Sequence, residues 1–319
     1  MRKKHFSILA AFFMLAGAFT TVSIDDYDSG VEACMEIAYP PGSDRGTDCF
    51  TNLAYTALKS NNIDLFAQNV QSASVFYTFD DTRCHEDLHF AARKWASGQS
   101  YAGYHTIREV SLCDNALIHG FLEGFVPRAN KSDLSKLANL CEVNIDYSCI
   151  DGFGHAAWSK FAHESDVKSA ANMCLTFTES RSLNKCIDGL MMQMFGPADN
   201  VNAFAEYSFE SLQRACGEIV SISNKLLYGC STGIGYVLYT NLLHGVIGSG
   251  SVSGTTSYDT TLVAGLLEKT YSSCSLYSNY APGCEDRILE TFTTHFKDAS
   301  FRENICKKVT DIIPRNECK

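Results

Sequence analysis

Three short stretches of this chain set metal-binding or acid–base side chains one helical turn apart. His85-Glu86-Asp87-Leu88-His89 is an H-E-x-x-H pentapeptide. On a helix its two imidazoles face one side and can grip one metal ion, while Glu86 activates a bound water as catalytic base. His119 and Glu123 form a second pair at the same spacing, and Asp151 and His155 a third. Imidazole nitrogens and carboxylate oxygens are the donors of zinc, manganese and iron sites built from facing helices. The expected ligands are therefore His85, His89, His119, Glu123, Asp151 and His155, holding a divalent transition metal, zinc first among the candidates. For the aspartates the favoured reading is helix N-capping, with metal ligation as the alternative.

Pairs so far apart in sequence meet only if a repeated element lines them up, and the chain contains one. The phrase Cys-x-polar-Gly-apolar occurs at Cys149-Ile150-Asp151-Gly152-Phe153, Cys186-Ile187-Asp188-Gly189-Leu190 and Cys230-Ser231-Thr232-Gly233-Ile234. Weaker copies begin at Cys49, Cys84, Leu117 and Cys284, so successive starts lie 32 to 54 residues apart. That period suits an αα-hairpin repeat, lengthened late in the chain by loop insertions. Gly at the fourth position would let a neighbouring helix approach closely. Positions three and seven share one helical face, so stacked units would present His119, Glu123, Asp151 and His155 as neighbours.

The segments between phrases read as helices. Ser132 is the expected N-cap before Leu134, Leu137, Ala138 and Cys141, and Ser165 before Val167, Ala170, Ala171 and Cys174. A Cys ending one helix and a Cys opening the next flank a tight turn, where a disulfide closes without strain. This logic pairs Cys34–Cys49, Cys141–Cys149, Cys174–Cys186, Cys216–Cys230 and Cys274–Cys284. Cys84 and Cys113, each lacking a local partner, pair with each other, and Cys306–Cys318 pins the tail. All 14 cysteines are then used. Gly245 to Ser257, rich in Gly, Ser and Thr, reads as a loop within the sixth unit.

Arg2, Lys3 and Lys4, an apolar run from Phe6 to Ala16 and an Ala16-Gly17-Ala18 exit make a signal peptide over residues 1–18. Residues 19–319 are then one all-α domain of seven Cys-stapled hairpin units, secreted or periplasmic, where disulfides persist. No later run is long enough to span a bilayer, so no stable membrane insertion is expected after signal cleavage. Loss of the three basic residues moves the net charge from −10 to −13. That acidity, with no later Lys/Arg cluster, argues against nucleic acid as a partner.

The H-E-x-x-H pentapeptide resembles the zincin metallopeptidases, and Glu109, twenty residues beyond His89, is similar in spacing to the third ligand of the thermolysin-like branch. The resemblance implies zinc-dependent hydrolysis with Glu86 as base. Arg83 and Asp87 stand where that pattern places uncharged residues, and no sheet is evident here. The strings "CHEDLH", "HGFLEG" and "CIDGFGHAAW" resemble exported bacterial proteins that repeat His-Gly and Cys-x-His-Gly-x-Gly-His phrases, which implies a histidine cluster on a disulfide-stapled helical array. Sel1-like repeats are similar in layout only. Gly229-Cys230-Ser231-Thr232-Gly233 fits the serine-hydrolase elbow, but here it is the sixth copy of the repeat. His105, His163, His244 and His295 read as isolated. Two functions remain: an exported metal-binding repeat protein, hydrolytic if Glu86 acts as base, or a non-catalytic scaffold recognising a protein, peptide or glycan.

Overall fold

The computed structural model describes residues 34, 45–73, 81–110, 112–113, 115–195, 208–241, 259–277, 280–296, 298–309 and 313. The expected signal peptide, the 245–257 loop, His244 and Cys318 lie outside the described residues, as does the side chain of Glu86. The described chain is all-helical, with no strand. Its fourteen α-helices are α1 (Arg45–Lys59), α2 (Ile63–Ala73), α3 (Asp81–Ala96), α4 (Tyr104–Ile107), α5 (Ala116–Phe125), α6 (Lys131–Val143) and α7 (Tyr147–Phe161), then α8 (Val167–Cys174), α9 (Ser180–Phe195), α10 (Phe209–Ile222), α11 (Leu227–Tyr239), α12 (Thr260–Ser273), α13 (Ala281–His295) and α14 (Ala299–Lys308). None of them is long and apolar enough to cross a membrane.

The helices that carry the seven phrases are α1, α3, α5, α7, α9, α11 and α13, and each packs against the next in that order. Glycine sets how closely they pack. A Cβ on Gly120 would overlap the His89 carbonyl oxygen of α3, and one on Gly189 would overlap the Asp151 carbonyl oxygen of α7. At these points one helix backbone rests on the next, closer than the roughly 8–10 Å between axes that side-chain packing enforces. Phrase residues such as Leu117, Ile150, Phe153, Ile187, Leu190 and Ile234 fill the core between them.

Six of the expected disulfides are present: Cys34–Cys49, Cys84–Cys113, Cys141–Cys149, Cys174–Cys186, Cys216–Cys230 and Cys274–Cys284. Cα–Cα separations of 5.6–5.8 Å fit unforced bridging. Each short loop so closed adds about 2–3 kcal/mol by restricting the unfolded chain. The set fits a protein that matures in an oxidising compartment.

The caps differ from the sequence reading by one or two residues. Asn130, not Ser132, caps α6 and accepts from the Asp133 N–H, while Asp166, not Ser165, caps α8 and accepts from Ser169 N–H. Asn and Asp reach the free N–H donors of a helix's first turn as well as Ser does, and in both cases they stand one or two residues away. Ser165 instead takes the left-handed turn at φ 51° that ends the preceding 3₁₀ segment. Asp151 and Asp188 cap nothing: α7 is capped by Asp146, and α9 begins at Ser180, eight residues before Asp188. Both lie within their helices, with side chains free for lateral contacts.

Replacing Gly189 by Ala should force α7 and α9 apart and cost about 1–3 kcal/mol or more. Gly265 lies mid-α12 with open space around it, so Gly265→Ala should stabilise by up to ~1 kcal/mol through helix propensity. Urea denaturation of the oxidised variants measures both; equal effects would refute the close-approach account.

Candidate metal centre

Three neighbouring helices deliver the expected residues to one strip. His85 and His89 stand on α3, His119 and Glu123 on α5, and Asp151 and His155 on α7. His119, Glu123 and Asp151 are buried, and the other three are half-buried. The imidazoles follow one another, with ring centroids 5.8 Å apart for His85–His89, 5.7 Å for His85–His119 and 5.2 Å for His119–His155. The carboxylates lie among them. Glu123 Oε1 is 3.2 Å from His89 Nε2, and Asp151 Oδ2 is 3.4 Å from His155 Nε2 and 3.9 Å from His119 Nε2.

Two rings are held from behind. The Nδ1–H of His85 donates to the Cys113 carbonyl oxygen at 2.8 Å, and that of His155 to Gln193 Oε1 at 2.8 Å. An oxygen that only accepts fixes the proton on Nδ1, which leaves Nε2 as the atom able to take a metal. The Cys84–Cys113 bridge ties the first of these carbonyls to the helix that bears His85.

Burial and neighbouring charge tune these groups in opposite directions. Burial, helped by the nearby His155, pushes His119 down to about 3, so it is a neutral lone-pair donor at ordinary pH. Burial also pulls on His155, but Asp151 outweighs it and the net shift is upward. Glu123 is held below the usual carboxylate range because His89 outweighs the cost of burial. Asp151 is likewise held below the usual carboxylate range, its burial overcome by Lys185, His155 and His119.

Beyond Asp151 the wall continues as permanent ion pairs. Lys185 Nζ lies 3.0 Å from Asp151 Oδ1 and 3.1 Å from Asp188 Oδ2, and Arg287 of α13 reaches Asp188 Oδ2 at 3.1 Å. The motif reading missed both cations. Lys185 directly precedes a phrase, and Arg287 replaces Gly at the fourth position of the last copy; that departure was the available signal. His295 was read as isolated, yet it lines a cavity of about 330 Å³ together with His119 and Asp151.

Glu109 does not join the strip. Its side chain is 76% exposed and pairs with Arg108, and α3 stops at Ala96, so no helix carries the zincin-like spacing back to the imidazoles. Among the described residues, no group of three or more His, Cys, Asp or Glu side chains is arranged so that it could hold a metal ion. Comparison with protein-family models, curated proteins and solved structures yields no match.

The metal-free protein should be most stable near pH 6.5 and lose stability on either side. Below that value unfolded His119, at 6.5, binds a proton that the folded form refuses until about 3, so stability falls on acidification by on the order of 1 kcal/mol per pH unit. Above it His155, raised in the folded state, holds a proton the unfolded chain has lost, and its contribution disappears as pH rises through the folded value. His119→Gln should flatten the acid limb between pH ~4.5 and ~6.5, above the carboxylate range. Denaturant midpoints measured against pH test this, and an unchanged acid limb would refute it.

Proposed function

We propose that this chain is an exported metal-binding protein, a solenoid-like array of seven disulfide-stapled helical hairpins whose wall holds a divalent transition ion, zinc in the first instance. His85, His89, His119 and His155 supply nitrogen ligands, and Glu123 and Asp151 supply oxygen. The observation that carries this reading is spacing. Two ligands each ~2.0–2.1 Å from a tetrahedral ion stand roughly 3.3 Å apart, and the three imidazole–carboxylate separations are 3.2, 3.4 and 3.9 Å. These separations belong to two neighbouring sets, His89–Glu123 and His119–Asp151–His155, and side-chain movement would have to draw one set or both around an ion.

Further support comes from the protonation pattern. A metal ligand must be deprotonated. His119 is held neutral and Glu123 and Asp151 ionised, whereas His155, shifted upward by Asp151, gives up a proton on binding. The Nδ1 anchors on His85 and His155 are the outer-shell contacts that orient ligating imidazoles. A bound ion would supply charge to polarise a water or substrate oxygen; the protein's own part is to fix the donors on rigid helices and keep the strip largely dry.

Protein purified from an oxidising compartment should carry about one equivalent of a transition metal by elemental analysis. His89→Ala combined with His155→Ala should weaken zinc binding at least ~10-fold and leave the helical circular dichroism intact. Less than about a tenth of an equivalent of any transition metal, before and after reloading, would end the proposal.

A further inference from the structure

The 330 Å³ cavity beside the histidine strip is one end of a longer cleft. A second cavity of about 480 Å³ shares Tyr147, Lys185, Arg287 and Glu290 with it, so the two meet at a neck framed by the two cations. The cleft exists because the sixth phrase brings only Thr232 to the position where its neighbours carry Asp188 and Asp286. Arg287 spans the resulting gap to reach Asp188.

We propose that this cleft binds a small molecule through a terminal oxyanion, carboxylate or phosphate, held between Lys185 and Arg287. Neither cation is one of the proposed metal ligands, and the site does not require the ion. The two approach from different helices, α9 and α13, and their side chains are only 26% and 12% exposed. Their N–H hydrogens, three on Lys185 and five on Arg287, are only partly used by the four ion-pair contacts with Asp151, Asp188 and Glu290. The Lys185 ammonium spends two contacts on Asp151 and Asp188 and has a third hydrogen to give. Arg287 spends its two terminal nitrogens on Glu290 and Asp188, while its buried Nε makes no hydrogen bond. One acceptor, Glu290, is 67% exposed and screened by water. A planar guanidinium fork suits a two-oxygen anion better than a point charge does. Tyr147, Ser148 and Asn115 line the same space and offer hydroxyl and amide donors to the rest of such a ligand. A volume of 330 Å³ lies at the small-molecule end of the pocket range.

Calorimetric titration of the metal-free, oxidised chain with inorganic phosphate, and separately with acetate, tests the site in buffer free of other oxyanions. One of the two should bind at a single site with millimolar affinity or better, and which one binds names the class. Arg287→Lys should weaken that binding at least about fivefold, because it removes the planar fork and keeps the charge. Arg287→Met should abolish it. Thermal melting monitors the fold; if Arg287→Met does not fold, Arg287→Lys decides. Absence of binding by both anions at ~10 mM, or equal affinity in wild type and Arg287→Lys, would overturn the proposal.

Discussion

The contact of one helix backbone with the next, made possible by glycine, is the constraint on which this wall depends. Where Gly120 meets the carbonyl of His89 and Gly189 meets that of Asp151, no side chain separates the helices. The residues one turn to either side are then forced into lateral contact, whatever their chemistry. That is why His89 lies 3.2 Å from Glu123, though the two are 34 positions apart in sequence. At ordinary interhelical distances the same side chains would reach across water and interact weakly. Here they are largely withdrawn from water, and the disulfides pin the helices that carry the phrases to their preceding segments, as Cys141–Cys149 does for α7 and Cys174–Cys186 for α9.

Burial of so many ionisable groups requires each charge to find a partner, and the wall meets this requirement in two ways along its length. At the Asp188 end the partners are Lys185 and Arg287, which keep their charge at any ordinary pH. At the Glu123 end they are the His89 imidazole, 3.2 Å from Oε1, and the Arg93 guanidinium, 3.7 Å from Oε2. Asp151 stands between the two ends, with Oδ1 on Lys185 and Oδ2 between His119 and His155. Each of the three carboxylates therefore has a permanent cation beside it, and Glu123 and Asp151 also have imidazoles, whose charge varies with pH.

Much of this was legible because the phrase encodes both the helix face and the staple. Its cysteines named six pairings that the structure contains, and positions three and seven named the side chains that meet on α5 and α7. The reading failed where an environment, not a spacing, decides the outcome. Asp151 resembles an N-cap until its helix proves to be capped already by Asp146. Glu109 has a ligand-like spacing, but α3 ends at Ala96 and the chain turns away. Lys185 and Arg287 reveal themselves only when α9 and α13 are seen on either side of the gap left by Thr232, because no periodicity links a residue before one phrase to the fourth residue of another. His295 belongs to the same class, since its neighbours on the cavity wall come from α5 and α7.

The distribution of imperfect satisfaction argues that this wall is more than packing. Among the described residues the wall carries buried atoms with no hydrogen bond of good geometry, His119 Nε2, Asp188 Oδ1 and Arg287 Nε among them, while Glu123 Oε1, Asp151 Oδ1 and His155 Nε2 meet ion-pair partners at 3.2, 3.0 and 3.4 Å. Each such atom costs about 1–3 kcal/mol relative to a satisfied one. A wall selected for stability alone would carry Leu or Ile here, as the core-facing positions of the same helices do, since replacing buried ion pairs by apolar residues is often neutral or stabilising. Local destabilisation concentrated in a contiguous strip beside a cleft is the pattern expected where binding supplies the missing partners.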